Sequence, residues 1–390
     1  MPDGQDAAII RIMSAIGDIS AEDWDRCAGD DDPFVSYAFL SALEDSGSVT
    51  AETGWRPQHM VLEGADGVIS AVVPLYLKNH SYGEYIFDWN WADAYQRAGG
   101  SYYPKFQAAV PFTPVTGRRL LIDPAVSPDT HTEIQRTLIS GLLQLTEKAG
   151  VSSFHMTFID KQEWQVCGEF GLLQRIDRQF HWLNDGYQTF DDFLATLTSR
   201  KRKSIRKERK AALATGVKIS RLTGAAIEDR HWDAFYRFYC DTSDRKWGQA
   251  YLNRRFFTLL GERLADKIML VMAEDDGNLV GGALNMIGAN TLFGRYWGCL
   301  DHYRFLHFEA CYYQAIDFAI DAGLGKVEAG AQGQHKLQRG YLPHPTYSAH
   351  WIADPGFRRA VAGFLEQERE AVGDEIEALT TYSPFKFTGD

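Results

Sequence analysis

The residues best suited to chemistry lie near the C-terminal end, in the stretch EAGAQGQHKLQRGYLP from Glu328 to Pro343. His335, Lys336 and Arg339 are spaced so that one turn of helix would hold them within a narrow arc. Acyl transfer to an amine needs a base for the ammonium acceptor and hydrogen-bond donors for the oxyanion of the tetrahedral intermediate. His335 or Glu328 could supply the base, and Lys336 or Arg339 the donor. Spacing alone slightly favours an ordinary polar connection with solvated side chains.

An aromatic segment in the first half of the chain carries a second set of charges. Nine Tyr, Trp and Phe residues lie between Tyr82 and Phe106, interleaved with acidic and basic side chains. Aromatic walls with a few charged groups are typical of a ligand pocket, and equally of a core between domains. On the first interpretation, Asp93 and Lys105 would contact the substrate.

A dense cationic segment, SRKRKSIRKERKAA, begins at Ser199. Eight of the eleven residues from Arg200 to Lys210 are Lys or Arg, with Glu208 the one acid, in a chain of net charge −12. A solvated helix face normally alternates in sign, so an anion-binding role is favoured over a solvated face. The anion would be the phosphates of a nucleotide-bearing donor, a tRNA acceptor stem, an acidic carrier protein or a membrane surface. Three arginines are the candidates for donor phosphates: Arg202, Arg206 and Arg209.

The segment around these cations predicts one helix, capped by Thr189, stopped by Gly216 and open to interruption near Ser199. Its thin apolar stripe would lie on the body of the protein, with the charges outward. The stripe consists of Phe193, Leu197, Ile205, Ala212 and Leu213.

The order of elements predicted from hydrophobic periodicity occurs twice along the chain. Each half has a capped helix, an apolar hairpin with an Asp-Gly turn (Gly67 and Gly277), a long amphipathic helix (131–149 and 305–322) and a short strand. The predicted fold class is therefore α/β (α+β), with two domains, each a mixed and mostly antiparallel sheet flanked by helices. We place the N-terminal domain at 1–185, a basic connecting helix at 186–216 and the C-terminal domain at 217–390.

Composition and missing motifs exclude several classes of function. The net charge argues against general nucleic-acid binding, and five widely spaced cysteines without a C-x-x-C pair indicate a reduced chain. The sequence has no signal-peptide pattern and no apolar run long enough for a membrane span, so we expect a cytoplasmic protein, with contact at the inner membrane surface left open. The nucleophile elbow, the phosphate loop and the zinc motif H-E-x-x-H are absent, and no metal site is expected.

Several long motifs resemble the bacterial FemAB-like family of N-acyltransferases. They include PLYLKNHSYGEYIFDWNWADAY, FHMTFID, QFHWLNDGYQTFDDFLATLTSRKRKSIRKERK, RYWG, LHFEACYYQAIDFAI and EAGAQGQHKLQRGYLPHPTYSAHWI, and the match runs from about Ser36 to Trp351. The family belongs to the GNAT superfamily. The resemblance therefore implies two tandem GNAT-like domains, in agreement with the internal repeat.

The resemblance also implies acyl transfer to an amine, from an acyl-thioester or an aminoacyl-tRNA. The late Phe-Lys motif of Fem transferases places a lysine for oxyanion stabilisation, and His335-Lys336 is similar to it, with His335 in the position of Phe. The usual coenzyme A loop is missing from GCLDHYRFLHFEA, so the pyrophosphate must be held differently. The long helical arm with which Fem enzymes contact tRNA is missing too, which favours a thioester donor.

The resulting prediction is an N-acyltransferase that uses acyl-CoA or acyl carrier protein as co-substrate, with no permanently bound cofactor. Its acceptor would be a small-molecule or lipid amine, since some relatives are similar to ceramide synthases that N-acylate a sphingoid base. We expect the reaction in a cleft between the domains. Four further residues would line the site: His307, Glu309, Arg339 and Tyr341.

Two alternatives stay open. The first is a Fem-type transferase that moves an amino acid from aminoacyl-tRNA to a peptidoglycan precursor, and only here would nucleic acid be a partner. The second is a non-catalytic module that binds a cell-wall precursor or anionic lipid through the basic helix.

Overall fold

The computed structural model describes residues 9–64, 66–86, 88–214, 216–246, 250–330 and 333–386. It divides the chain into two compact units, each built from two stretches of sequence. The first unit comprises Met1–Asp177 and Thr346–Val372, and the second comprises Arg178–Pro345 and Gly373–Asp390. The domain limits predicted at 185 and 216 stay a prediction.

The strands and helices follow one another in mixed order along the chain. The strands are β1 (Ile9–Met13), β2 (Trp55–Pro57), β3 (His59–Glu63), β4 (Ile69–Val73), β5 (Leu75–Lys78), β6 (Lys105–Ala108), β7 (Leu121–Ile122), β8 (Ser153–Ile159), β9 (Leu173–Leu183), β10 (Lys218–Thr223), β11 (Ile268–Asp275), β12 (Asn278–Ile287), β13 (Thr291–Cys299), β14 (Lys326–Glu328) and β15 (Leu342–Ile352). The helices are α1 (Ala21–Ala28), α2 (Tyr37–Asp45), α3 (Trp89–Arg97), α4 (Pro128–Ala149), α5 (Lys161–Glu169), α6 (Phe190–Thr196), α7 (Ser199–Leu213), α8 (Asp229–Lys246), α9 (Arg254–Leu264), α10 (Leu306–Phe308), α11 (Gln314–Asp321) and α12 (Pro355–Thr381).

The first unit contains two sheets. Strands β1, β3, β4 and β7 form an antiparallel sheet in that order. In the other sheet, β8 lies between the C-terminal part of β15, which is antiparallel to it, and β6, which is parallel, and β5 and β2 follow. Helix α4 begins at the Ser127 cap, ends at Gly150 in the left-handed region, and buries Ile134, Leu138 and Leu142 in the core of this unit.

The second unit has one sheet with the order β10, β11, β12, β13, β14, β9. Only the β13–β14 pair is parallel among these neighbours. Both predicted hairpins, β3–β4 and β11–β12, are present, with Gly67 and Gly277 at positive φ of 81° and 80°. The predicted class of mixed sheets flanked by helices is confirmed.

The basic segment forms two helices, α6 and α7, with the break just before Ser199. Thr189 caps α6 in a capping box with Asp192, as its sequence predicts. The predicted apolar stripe is buried at Phe193, Leu197, Ile205 and Ala212. The expectation for Leu213 is wrong, because this last residue of α7 is 48% exposed.

The long helix predicted at 305–322 is divided into three parts. The α-helical turn α10 is followed by a π-helical segment, Glu309–Tyr313, and then by α11. A π-turn widens the helix by one residue, and such turns are frequent at functional sites. Here it buries both Tyr312 and Tyr313.

No helix in the part of the chain that the structure describes is both long and apolar enough to cross a bilayer.

Candidate functional site

Lys336 lies at the centre of the candidate site, on a short 3-10 helix, Gln334–Arg339, that follows β14. The lysine is only 4% exposed. Its ammonium donates hydrogen bonds to the carbonyl oxygens of Ala329, at 2.5 Å, and Gly330, at 3.0 Å. Gly330 has a φ of 77°, a conformation that glycine adopts without strain. An ammonium carries three N–H donors, so the contacts with described residues leave one donor for a further acceptor.

The ionisation of Lys336 is displaced towards neutral pH. Burial is the main cause that lowers its pKa to about 7; Cys311 opposes this shift and the nearby Arg295 guanidinium adds to it. Within the described residues no carboxylate forms an ion pair with Lys336, so little offsets the cost of burying its charge. An oxyanion placed next to it would supply the missing negative charge.

His335 is the exposed member of the pair and contacts an aromatic group. Its Nε2 lies 2.9 Å from the hydroxyl of Tyr312, whose pKa is raised by burial. The His307 ring lies 6.0 Å from the His335 ring and 5.5 Å from that of Trp297, between centroids. The aromatic group is thus Trp297, His307, Phe308, Tyr312 and His335.

Glu328, the other candidate base, is fully buried at the end of β14. Its carboxylate accepts hydrogen bonds from Lys326 at 2.9 Å and Arg295 at 3.3 Å. Two cations stabilise the charged form and occupy the oxygens that a base would use. His335 is therefore the candidate base that an amine in solvent can reach.

Arg339 and Tyr341 both make contacts within the protein. The Arg339 guanidinium donates to the backbone oxygen of His335 at 2.7 Å and to Glu208 at 2.9 Å. The hydroxyl of Tyr341, which is fully buried, donates to the backbone oxygen of Tyr312 at 3.1 Å. These contacts hold the 3-10 helix and the π-helical segment together.

Glu309, predicted to contact substrate, is fully buried and paired with the basic helix. Arg209 donates to its two oxygens at 3.1 and 2.9 Å, and to Asp317 at 2.6 Å. Gln314 donates to Glu309 as well, at 2.8 Å. The structure thus brings Arg209 and Glu309 together as an internal ion pair.

The other two candidate arginines differ from Arg209. Arg206 is exposed and pairs with Asp191, which is more exposed still, at 2.7 Å. Arg202 is half-buried and has no side-chain hydrogen bond or ion pair with any described residue. An exposed ion pair contributes little to stability, so both arginines can exchange their surroundings for a ligand.

Asp93 and Lys105 belong to the first unit, whereas the other candidates belong to the second. Asp93 is exposed on α3. Lys105 is fully buried and donates to Ser81 at 2.9 Å, to Glu84 at 2.7 Å and to Asp88. All three N–H donors of Lys105 are used, and Asp93 does not share this network.

The Lys105 network continues through the first unit. The Tyr102 hydroxyl donates to Asp88 at 2.7 Å and lies 3.3 Å from Nε2 of His155. His155 in turn lies 2.7 Å from His350, Nδ1 to Nδ1. Burial lowers the pKa of His155 to about 3 and raises that of Glu84 to about 7. Two neutral imidazoles and a buried ion pair are typical of a structural network.

Sequence patterns alone did not identify four residues that surround Lys336 and its helix. Glu208 was visible as the one acid in a cationic run, and Arg295 lies in the RYWG motif. The remaining two, Tyr312 and Tyr313, are adjacent in the π-helical segment, where Tyr312 contacts His335 and Tyr313 contacts Glu208.

The start of α10 is a poor site for pyrophosphate. Backbone N–H groups at a helix N-terminus bind phosphate when they have no internal acceptor. Here the N–H of Leu306 donates to Tyr303 and that of Phe308 donates to Phe305. The described residues also contain no cluster of three or more His, Cys, Asp or Glu positioned to hold a metal ion.

Comparisons with known proteins agree with this fold. FemX matches with a TM-score of 0.55 at 12% identity, over 88% of this chain and 98% of that one. L-PGS from Bacillus licheniformis matches with a TM-score of 0.50 at 11% identity, over 87% of this chain and 98% of that one. Among curated proteins no significant match is found.

The family model for FemAB-like proteins, described as peptidoglycan biosynthesis/recognition, matches residues 15–387, almost the whole sequence. The FemX match shows the fold over 88% of this chain, and that the two domains are GNAT-like stays what the motifs imply. This chain belongs to the FemAB-like family.

Proposed function

We propose that this protein is a transferase that moves an acyl group from an acyl-thioester to a primary amine, forming an amide. The observation that carries the proposal is the ammonium of Lys336, buried, without a carboxylate partner among the described residues, and with one N–H donor left by Ala329 and Gly330. A donor fixed in a water-poor site stabilises developing negative charge more effectively than one in solvent. Family membership and fold support a transferase at the coarser level.

The reaction needs no covalent enzyme intermediate. The neutral amine attacks the thioester carbonyl, the new C–N bond pushes electrons onto oxygen, and Lys336 donates its third N–H to that oxyanion. His335 takes the proton that the amine nitrogen loses. Collapse of the intermediate re-forms the C=O bond and breaks the C–S bond, and the departing thiolate takes the proton held by His335 to become the free thiol. The products are the amide and coenzyme A or carrier-protein thiol.

The donor's phosphates would bind along α7. Arg206 is exposed and Arg202 is half-buried without an ion pair to any described residue, whereas Arg209 is paired internally with Glu309. The backbone N–H groups at the start of α10 largely have internal acceptors, so the cationic helix α7 is the better candidate for binding the donor's phosphates. Acyl-CoA and acyl carrier protein both offer such phosphates.

The acceptor would be a long-chain lipid amine, such as a sphingoid base. Apolar rings beside a reactive centre bind an alkyl chain through the area they remove from water. Trp297, His307 and Phe308 are half-buried, so they keep surface for such a contact near His335. Binding of a lipid substrate is also compatible with contact at the membrane surface, which stays a prediction.

A second candidate is transfer of an amino acid from aminoacyl-tRNA to a peptidoglycan precursor. The family description favours it, and an exposed cationic helix suits a tRNA acceptor stem. The same lysine would stabilise the same kind of oxyanion, with an ester in place of the thioester. A non-catalytic module that binds either ligand is the third outcome.

One experiment separates the three functions. The purified protein is incubated with long-chain amine or peptidoglycan precursor and with acyl-CoA, acyl carrier protein or charged tRNA, and amide products are measured by mass spectrometry. Amide from a thioester, insensitive to RNase, supports the proposal. Product that RNase abolishes overturns the thioester donor and supports the tRNA alternative. Absence of product from every donor, with retained binding of a precursor or lipid, supports the binding module.

A further inference from the structure

We infer that Glu208, the one acid in the cationic run of α7, is a positioning residue for Lys336. It acts through Arg339, which holds the 3-10 helix that carries His335 and Lys336. This inference rests on the proposed function of that site. The cationic residues around Glu208 on α7 give no indication of this role.

The first contact joins α7 to the end of the 3-10 helix. One carboxylate oxygen of Glu208, Oε2, accepts a hydrogen bond from Nη2 of Arg339 at 2.9 Å and another from the hydroxyl of Tyr313. Oε1 faces the hydroxyl of Ser204 at 3.4 Å. The side chain of Glu208 is 14% exposed and that of Arg339 is 7% exposed. The ion pair is therefore mostly shielded from water and depends on both partners.

The second contact joins the side chain of Arg339 to the start of the 3-10 helix, where His335 and Lys336 lie. Its Nη1 donates to the backbone oxygen of His335 at 2.7 Å, and its guanidinium carbon lies 3.4 Å from the centre of the Phe308 ring. A planar guanidinium with two fixed acceptors and a ring beneath it has little freedom. The peptide group that links His335 to Lys336 is thus fixed by a side chain that Glu208 orients.

Loss of the carboxylate leaves Arg339 without its counter-ion. A shielded cation without a partner is expensive, so Arg339 would turn towards solvent and release the His335 oxygen. Lys336 would then lose its fixed approach to Ala329 and Gly330. We expect its pKa to rise towards the ordinary lysine value as water enters.

The test compares Glu208→Gln and Glu208→Asp with the full-length wild-type protein. Glu262→Gln, the same change at an exposed acid of α9 in the second unit, is the matched control. The pH midpoint of Lys336 modification by cyanate is measured by peptide mass spectrometry, together with hydrogen exchange of residues 335–341. We expect Glu208→Gln to raise the midpoint and the exchange rate, Glu208→Asp to do so less, and Glu262→Gln to change neither.

Activity gives an additional readout if turnover is found. Misplacing a catalytic group by about 1 Å costs up to roughly a hundredfold in rate, so Glu208→Gln should lower kcat between about ten- and a hundredfold. The donor KM should change less than kcat, since the carboxylate of Glu208 is bonded to Arg339 and Tyr313. In an Arg339→Ala background, Glu208→Gln should have no further effect on the Lys336 midpoint, because its partner is gone.

The results distinguish this inference from the proposed function. An unchanged Lys336 midpoint and unchanged exchange in Glu208→Gln overturn the positioning role, even if the wild-type protein forms amides. An effect of equal size in the Arg339→Ala background overturns it too. The labelling results support it even where no donor gives turnover, in which case only the proposed function fails.

Discussion

The ammonium of Lys336 lies 2.5 Å from the carbonyl oxygen of Ala329. Together with the Gly330 oxygen, this contact uses two of the three donors of a buried amine. Lys105, equally buried, has three acceptors, two of them carboxylates. The two lysines therefore differ in their contacts with the described residues: all three donors of Lys105 are used, whereas Lys336 has one donor left for a further oxygen.

The pH dependence of activity should report the ionisation of Lys336. Because burial lowers its pKa to about 7, the protonated form that stabilises an oxyanion is present below that pH and lost above it. We expect kcat/KM to fall as pH rises through about 7, measured with hydroxylamine as an acceptor that is already neutral. Lys336→Arg stays charged throughout, so any activity it keeps should lack this fall. Persistence of the fall in Lys336→Arg would assign it to another group.

Two arginines of α7, the half-buried Arg202 and the exposed Arg206, should affect donor binding. Replacing Arg202 and Arg206 together by Gln removes two cations without breaking a buried contact, so thermal stability should stay within a few degrees of wild type. We expect the donor KM to rise about tenfold or more and the acceptor KM to stay unchanged, in steady-state kinetics. Equal changes in both KM values, or no change in either, would contradict donor binding by α7 and would indicate a surface or membrane role for this helix.

Arg209 should differ from these two in its effect on stability. Its side chain is 23% exposed and is bonded to the fully buried Glu309. Arg209→Gln leaves that carboxylate without its cation, so we expect unfolding in denaturant to become easier by about 2 kcal/mol. Arg206→Gln is the control and should change this free energy by less than about 0.5 kcal/mol. Equal stabilities of the two variants would contradict the internal ion pair.

The network around Lys105 should be structural. Lys105→Met removes the partner of Glu84 and Asp88, two buried carboxylates, and we expect a loss of roughly 3–5 kcal/mol in unfolding free energy. Glu84→Gln in the same background should recover part of this loss, because it removes one unpaired charge. Turnover per folded molecule should be little changed. If Lys105→Met lost activity while its stability stayed at the wild-type value, the result would support Lys105 as a substrate contact.

Much of the fold was predictable because it depends on local patterns. Asp-Gly turns between alternating apolar residues mark both hairpins, and Thr189 marks the start of α6. The long helix after β13 was predicted as continuous because its apolar spacing fits an α-helix. The π-turn at Glu309–Tyr313 is not visible in that spacing.

The site was only partly predictable because its contacts join distant parts of the chain. His335 and Lys336 were identified from residue type and motif, but the burial of Lys336 depends on the turn at Gly330. Arg209 was expected to point outward like its neighbours. It instead turns inward to bond Glu309 and Asp317. These acceptors lie about a hundred residues further along the chain, so the local sequence pattern does not reveal the contact.

The central claim is that Lys336 stabilises the oxyanion of an amide-forming reaction. Its most direct test is the rate of amide formation by Lys336→Met and Lys336→Ala, with equal thermal stability as the condition for comparison. Lys148→Met, at an exposed position of α4, is the matched control. We predict that both Lys336 variants lose at least about a hundredfold in kcat, with the donor still bound and Lys148→Met unaffected. Folded Lys336 variants that keep most of the wild-type rate would contradict the claim.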